Sequence, residues 1–234
     1  AASPGSLALL GRPQVGTATL RGVLEDGRLV GGDLGLTGYG GKFDGSLNAA
    51  WDGPVSVDAN LRMAAVSMNQ VSRNVLGRGG FSEGVASGTV AVHAKAARWE
   101  ELIRMDRLDA SFTVERGALK GFDLGAALRE RSPRPIPGGE TRFESLRGRL
   151  EADPRNIRLW IDRLDSGALT ASGQLSVDSF ESLQGSLSAS VQVPGRGVLQ
   201  YPALVSGTVA LPAIQLRLPA GGMVVPVPGG AVAR

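Results

Sequence analysis

The residues that could do chemistry are few. His93 is the only histidine, and there is no cysteine. His93 stands between Val92 and Ala94 in an alternating run, on the side shared with Lys95. That position suits a solvated side chain better than a general base. A transition-metal site would have to draw nearly all its ligands from carboxylates. Asp162 and Asp165 are close in sequence, as are Glu100 and Glu101, but neither pair has a calcium-loop spacing. Paired carboxylates also equip glycosidases, yet acids scattered over wet strand faces account for both pairs more simply. No Gly-x-Ser-x-Gly nucleophile elbow is present. The inventory predicts a non-catalytic chain with no catalytic residue, no cofactor and no metal.

Glycine, at 34 positions, is the other candidate. A loose unit recurs at Gly27-Arg28-Leu29-Val30-Gly31, Gly41-Lys42-Phe43-Asp44-Gly45 and Gly117-Ala118-Leu119-Lys120-Gly121. A stretched copy runs through Gly167-Ala168-Leu169 to Gly173. None carries a Walker lysine followed by Ser or Thr, or the strand-to-helix fingerprint that cradles a phosphate. The unit is read as a repeated hairpin, in which glycine turns the chain and the next apolar residue faces inward.

These residues must be positioned by a sheet. Leu169, Ala171, Leu175 and Val177 alternate with Thr170, Ser172, Gln174 and Ser176. Leu187, Ala189, Val191 and Val193 alternate with Ser186, Ser188, Ser190 and Gln192. Phe43, Leu47, Ala49 and Trp51 oppose Lys42, Asp44, Ser46 and Asn48, while Val55, Val57, Ala59 and Leu61 oppose Ser56, Asp58 and Asn60. Val90, Val92 and Ala94 oppose His93 and Lys95. Period-two alternation gives strands with one apolar and one wet face, as in antiparallel sheets. Asp26-Gly27 is a two-residue hairpin signal, and Asp52-Gly53-Pro54 and Arg116-Gly117 are read as further turns.

Three stretches break the alternation and are expected to be short helices: Ser67 to Leu76, Arg98 to Met105 and Phe122 to Arg129. Each is too short to be stable alone and should lie on the sheet. Arg131 to Gly139, with three prolines, is expected to be a loop. The predicted fold is mostly β, an extended antiparallel meander with two or three short helices packed on it. It is divided as one domain over residues 1–218 and a Gly/Pro/Val-rich, poorly ordered tail over 219–234.

Composition fits this reading. With 42% hydrophobic and 20% charged residues the chain is globular, and with only 5% aromatics its core must rest on Leu, Val and Ala. The net charge of +3, without a basic run interleaved with aromatics, argues against a nucleic-acid partner. No segment has the roughly 20 apolar residues of a membrane-spanning helix. The opening residues lack the features of a signal peptide, so the chain is expected to be a piece of a longer protein.

Over residues 38–158 the chain resembles the AsmA-like C-terminal domain. Tyr39-Gly40-Gly41-Lys42-Phe43-Asp44-Gly45 is similar to its aromatic-Gly-Gly segment, and Gly84-Val85-Ala86-Ser87-Gly88 to its G-x-x-S-G strand. Gly117-Ala118-Leu119-Lys120-Gly121-Phe122-Asp123-Leu124 is similar to its G-x-hydrophobic-x-G-hydrophobic-D-L motif. Gly139-Glu140-Thr141-Arg142-Phe143 is similar to its G-x-T-x-F motif, and Gly207 to Leu218 with Pro212 to its closing segment. The resemblance implies a periplasmic module of a Gram-negative envelope protein, with a parent tethered to the inner membrane by a segment absent from this chain. It implies phospholipid transport and outer-membrane lipid homeostasis.

On that reading the lipid-facing positions are Phe43, Leu47, Trp51, Val57, Leu61 and Val90. Val92, Leu169, Leu175, Val177, Leu187 and Val191 complete the set. The partner would be a phospholipid or other lipid, with envelope proteins able to pair at exposed edge strands. The alternatives are a structural or assembly module whose apolar faces close on each other as a sandwich or barrel, and, with least support, a polysaccharide-acting enzyme on a β scaffold. Alternation alone does not separate an open trough from a filled core.

Overall fold

The computed structural model describes residues 15–76, 80–98, 106–121, 123–130, 134–179, 181–193 and 197–217. The alternating runs become the strands β1 (Val15–Glu25), β2 (Arg28–Gly38), β3 (Gly41–Ala50), β4 (Val55–Ser67), β5 (Phe81–Ala96) and β6 (Arg107–Lys120). They continue as β7 (Ile136–Pro137), β8 (Glu140–Ala152), β9 (Asn156–Ser166), β10 (Leu169–Asp178), β11 (Leu183–Val193), β12 (Gly197–Gly207) and β13 (Pro212–Leu216). Among the described residues they form one open sheet of 13 strands, in chain order except that β7 lies outside β13. Every pairing is antiparallel. The mostly-β meander is therefore present as a single sheet rather than a two-sheet sandwich.

Turn chemistry sets the connections. Asp26 and Gly27 take φ of 43° and 73°, the doubly left-handed pair of a type I′ hairpin. Gly167 turns β9 into β10 in the same φ region. Other glycines depart from the expected turning role. Gly45 and Gly173 lie inside strands, where a Cβ would strike the backbone of the neighbouring strand. Arg116-Gly117 is not a turn either. Both residues lie within β6, where Arg116 takes φ 50° and β6 carries one extra residue against β5, Glu83 and Val85 opposing Ala118 and Glu115. This is a bulge, and the Phe143 ring fills the space where Gly117 lacks a side chain.

The first expected helix is present as α1 (Met68–Val71) continuing into a π-helical turn, Ser72–Leu76. The third is α2 (Leu124–Glu130), with Leu124 and Ala127 buried. Asp123 Oδ1 accepts the Ala126 N–H at 2.8 Å, and the buried Thr141 Oγ1 accepts the Leu124 N–H at 3.0 Å. The first bond caps α2 and the second seats it against β8. Beyond Arg98, the helix expected from Arg98 to Met105 lies outside the described residues, as does the tail expected over 219–234. The expected loop before Gly139 contains β7, because Ile136 and Pro137 pair with Ile214 and Ala213. Proline lacks a donor but is tolerated on a sheet edge.

The register carries one apolar row from β1 to β13. It runs Ala18, Leu36, Phe43, Met63, Gly88, Phe112, Gly148, Ile161, Gly173, Leu187, Ala203 and Leu216. The adjacent row is Thr19, Gly35, Asp44, Arg62, Thr89, Ser111, Arg149, Trp160, Gln174 and Ser186, then Leu204 and Gln215. Opposed residues share a face, so the sheet has one continuous apolar side and one largely polar side. Glycines alternate with bulky neighbours along the apolar row. Gly148, for instance, lies beneath the Phe112 ring. At the C-terminal end the sheet bends back, so that β13 meets β7 two residues before β8 begins. There the apolar side is buried, through Leu146, Ile161, Leu187, Val205 and Ile214.

Candidate functional site

The apolar side is the feature with most to offer a ligand, and it is not filled uniformly. Near the N-terminal edge a hollow of about 380 Å³ is lined by Leu20, Gly22, Leu24, Leu29, Leu47, Ala49, Trp51 and Val57. Its lining contains no charged side chain. Trp51, just beyond β3, stands at its margin. The backbone bond from Trp51 N–H to Gly27 O, 2.8 Å, ties that margin to the β1–β2 turn.

A second hollow, of about 550 Å³, opens between α2 and the ends of β8 to β12. Its wall contains Leu128, Leu169, Val191, Val193, Leu199 and Tyr201, with Asp123, Arg129, Glu140 and Arg142 also in the lining. Both volumes fall within the span of small-molecule pockets. The charged groups are partnered. Arg142 donates to Glu140 at 3.0 Å, Arg129 lies 3.8 Å from Asp123, and Glu140 also accepts from Ser82 Oγ at 3.0 Å.

All twelve expected positions lie on or beside this one side, but in different settings. Leu47, Trp51 and Val57 line the N-terminal hollow; Leu169 and Val191 line the C-terminal one. Leu175 and Leu187 are buried in the core. Phe43, Val90 and Val177 are partly buried against that core. Leu61 and Val92 are half-buried on the same side, opposite Val90 and Ala59. Leu20, Leu24 and Leu29 were not among the expected positions, nor were Leu128, Leu199 and Tyr201. Leu199, Tyr201, Ala203 and Val205 do alternate, but Pro202 among them argues against a central strand. In β1, Gly22 takes the place between Leu20 and Leu24 where alternation would show a third apolar side chain, and the bulge opposite it lies in β2, at Gly31.

The opposite side is wet and mixed in sign. A trough of about 740 Å³ crosses β3, β4, β5, β6 and β8 between two rows of polar side chains, including Asp44, Arg62, Asp109, Arg149 and Glu151. Arg149 pairs with Asp162 at 3.0 Å and lies over the Trp160 ring, while Arg163 pairs with Asp165 at 2.8 Å. A hydrogen bond to the Asp109 carboxylate raises the Arg107 pKa above its ordinary value. His93 also lies on this side, half-exposed and hydrogen bonded to Asp58. Among the described residues no three His, Asp or Glu side chains gather as a metal-ligand set.

No family model, curated protein or solved structure matches this chain. Among the described residues no helix is long and apolar enough to cross a membrane.

Proposed function

We propose that this chain is a non-enzymatic, lipid-handling module of an AsmA-like envelope protein, working in the periplasm on phospholipid. The observation that supports it best is the continuous apolar side, left open as hollows at two places. An acyl chain needs shelter from water and no chemistry. At about 0.8 kcal/mol per methylene, a chain of about 16 carbons gains roughly 12 kcal/mol on leaving water. Strands of 10 to 14 residues, such as β3 and β6, supply walls about 30–45 Å long. The polar side stays in water meanwhile.

The test uses the purified chain and vesicles carrying a photo-crosslinkable phospholipid. The expected result is cross-linking of the wild-type chain. Leu47→Asp and Val191→Asp should each reduce it several-fold, with the β circular-dichroism spectrum kept. Failure of the wild-type chain to capture lipid with neutral, zwitterionic or anionic head groups would overturn the reading. Leu175→Asp is unsuitable, because Leu175 is buried and a carboxylate there would unfold the sheet.

A further inference from the structure

The outer edge of β1 is the least protected backbone in the described sheet. β1 pairs with β2 on one side only. Among the described residues nothing pairs with its other row of N–H and C=O groups, and such groups seek a partner strand. Every described side chain from Gly16 to Glu25 is exposed. Exposed large apolar side chains concentrate here: Leu20 at 49%, Val23 at 57%, Leu24 at 69% and, on β2, Val30 at 54%. β1 has no proline or lysine to discourage pairing.

The sequence of this edge is complementary to itself. We propose that β1 binds β1 of a second copy of this chain, antiparallel, about a two-fold axis through Val23. In Arg21-Gly22-Val23-Leu24-Glu25, that axis sets Arg21 opposite the partner's Glu25, and Glu25 opposite the partner's Arg21. Both charges lie on the polar side, since Arg21 opposes Asp33 and Glu25 opposes Arg28 within the chain. Leu24 comes over the partner's Gly22, which offers no side chain to clash, and Val23 meets its own copy. The contact is isologous, so it closes at two. An axis through Leu20 would instead set Arg21 against Thr19 and leave both charges unmatched. Pairing through Val23 joins the two apolar sides into one and brings the two N-terminal hollows, lined in part by Leu20 and Leu24, next to each other.

The chain has no cysteine, so a single introduced thiol reports the register directly. Sedimentation equilibrium from micromolar to millimolar concentration should show a monomer–dimer equilibrium. Val23→Cys should form a disulfide-linked dimer on mild oxidation, and Leu20→Cys much less. Arg21→Glu should weaken the dimer roughly tenfold, by setting like charges opposite each other twice. The swap Arg21→Glu with Glu25→Arg should restore it. A monomer at every concentration would overturn the proposal. So would a dimer indifferent to Arg21→Glu, or one cross-linked better through Leu20→Cys.

Discussion

The two ends of the sheet begin from the same pattern and finish differently. At the C-terminal end β13 is five residues long, opens with Pro212 and is flanked by the two-residue β7. The same end is covered by α2, and Ile214 and Leu216 are at most 1% exposed. At the N-terminal end β1 is eleven residues long and exposed throughout its described side chains. Both ends present apolar residues on the same side of one sheet. The difference lies in what the chain folds over that side. Proline, a short edge strand and a docked helix close one end; nothing among the described residues closes the other.

The largest expected effect tests that contrast directly. Ile214→Ala and Leu146→Ala should each cost about 2–5 kcal/mol, because both side chains are fully enclosed and leave a cavity. At concentrations where the chain is monomeric, Leu24→Ala should fall within about 0.5 kcal/mol of wild type. Denaturant midpoints at constant slope measure all three. If Leu24→Ala costs as much as Leu146→Ala, the N-terminal end is covered in solution and the contrast fails.

Removing the bond that seats α2 should come next. Thr141→Val deletes the acceptor of the Leu124 N–H and leaves that donor buried, which costs about 1–3 kcal/mol. Amide hydrogen exchange should then quicken across α2 and β13 but not across β1 to β4. A uniform change along the chain would show that α2 does not seal the C-terminal end specifically.

Glycine substitutions sharpen the comparison at a similar scale. A Cβ on Gly185 would strike the Gln174 carbonyl oxygen and lie 2.6 Å from Leu175 Cδ2, so Gly185→Ala should cost about 1–3 kcal/mol. A Cβ on Gly53, at the N-terminal end, meets nothing within 4 Å, and Gly53→Ala should be close to neutral. Equal costs at the two positions would mean that close approach of a neighbouring strand is not what demands glycine at Gly185.

Much of this fold is legible in the sequence, because period-two alternation is a local signal. Val55 to Leu61, Gly167 to Val177 and Ser186 to Val193 each show their faces within ten or so residues, and Asp26-Gly27 specifies its own turn. The helix at α2 is legible from Leu124, Ala127 and Leu128. What alternation does not carry is the third dimension. Leu175 and Val191 have the same local pattern, yet one is core and the other lines a hollow, because burial depends on α2 and on strands distant in sequence. Arg116-Gly117 has turn chemistry, yet β6 runs on through it, because β5 and β8 pair with β6 on either side of it. β7 is illegible because its two residues gain strand character only from β13.

The smallest expected effect concerns the clip beside Trp51. Arg28 Nη2 lies 2.7 Å from Asp52 Oδ2, and both side chains are open to water. The hydrogen bond from Arg28 holds the Asp52 carboxyl below its ordinary range, with the guanidinium charge adding to it and partial desolvation opposing it. A lowered folded-state pKa stabilises the fold above the ordinary carboxylate value, and that contribution fades as pH falls through the lowered value. Because the pair is exposed, salt screens it and its contribution should be slight. Arg28→Ala should return the Asp52 titration, followed by carboxyl-carbon NMR, upward to the ordinary range, while the denaturant midpoint at neutral pH barely moves. A large loss of stability would mean that the clip, rather than the strands, holds Trp51 at the margin of the N-terminal hollow. That end would then be tied down from one corner even though no described strand pairs with its outer edge.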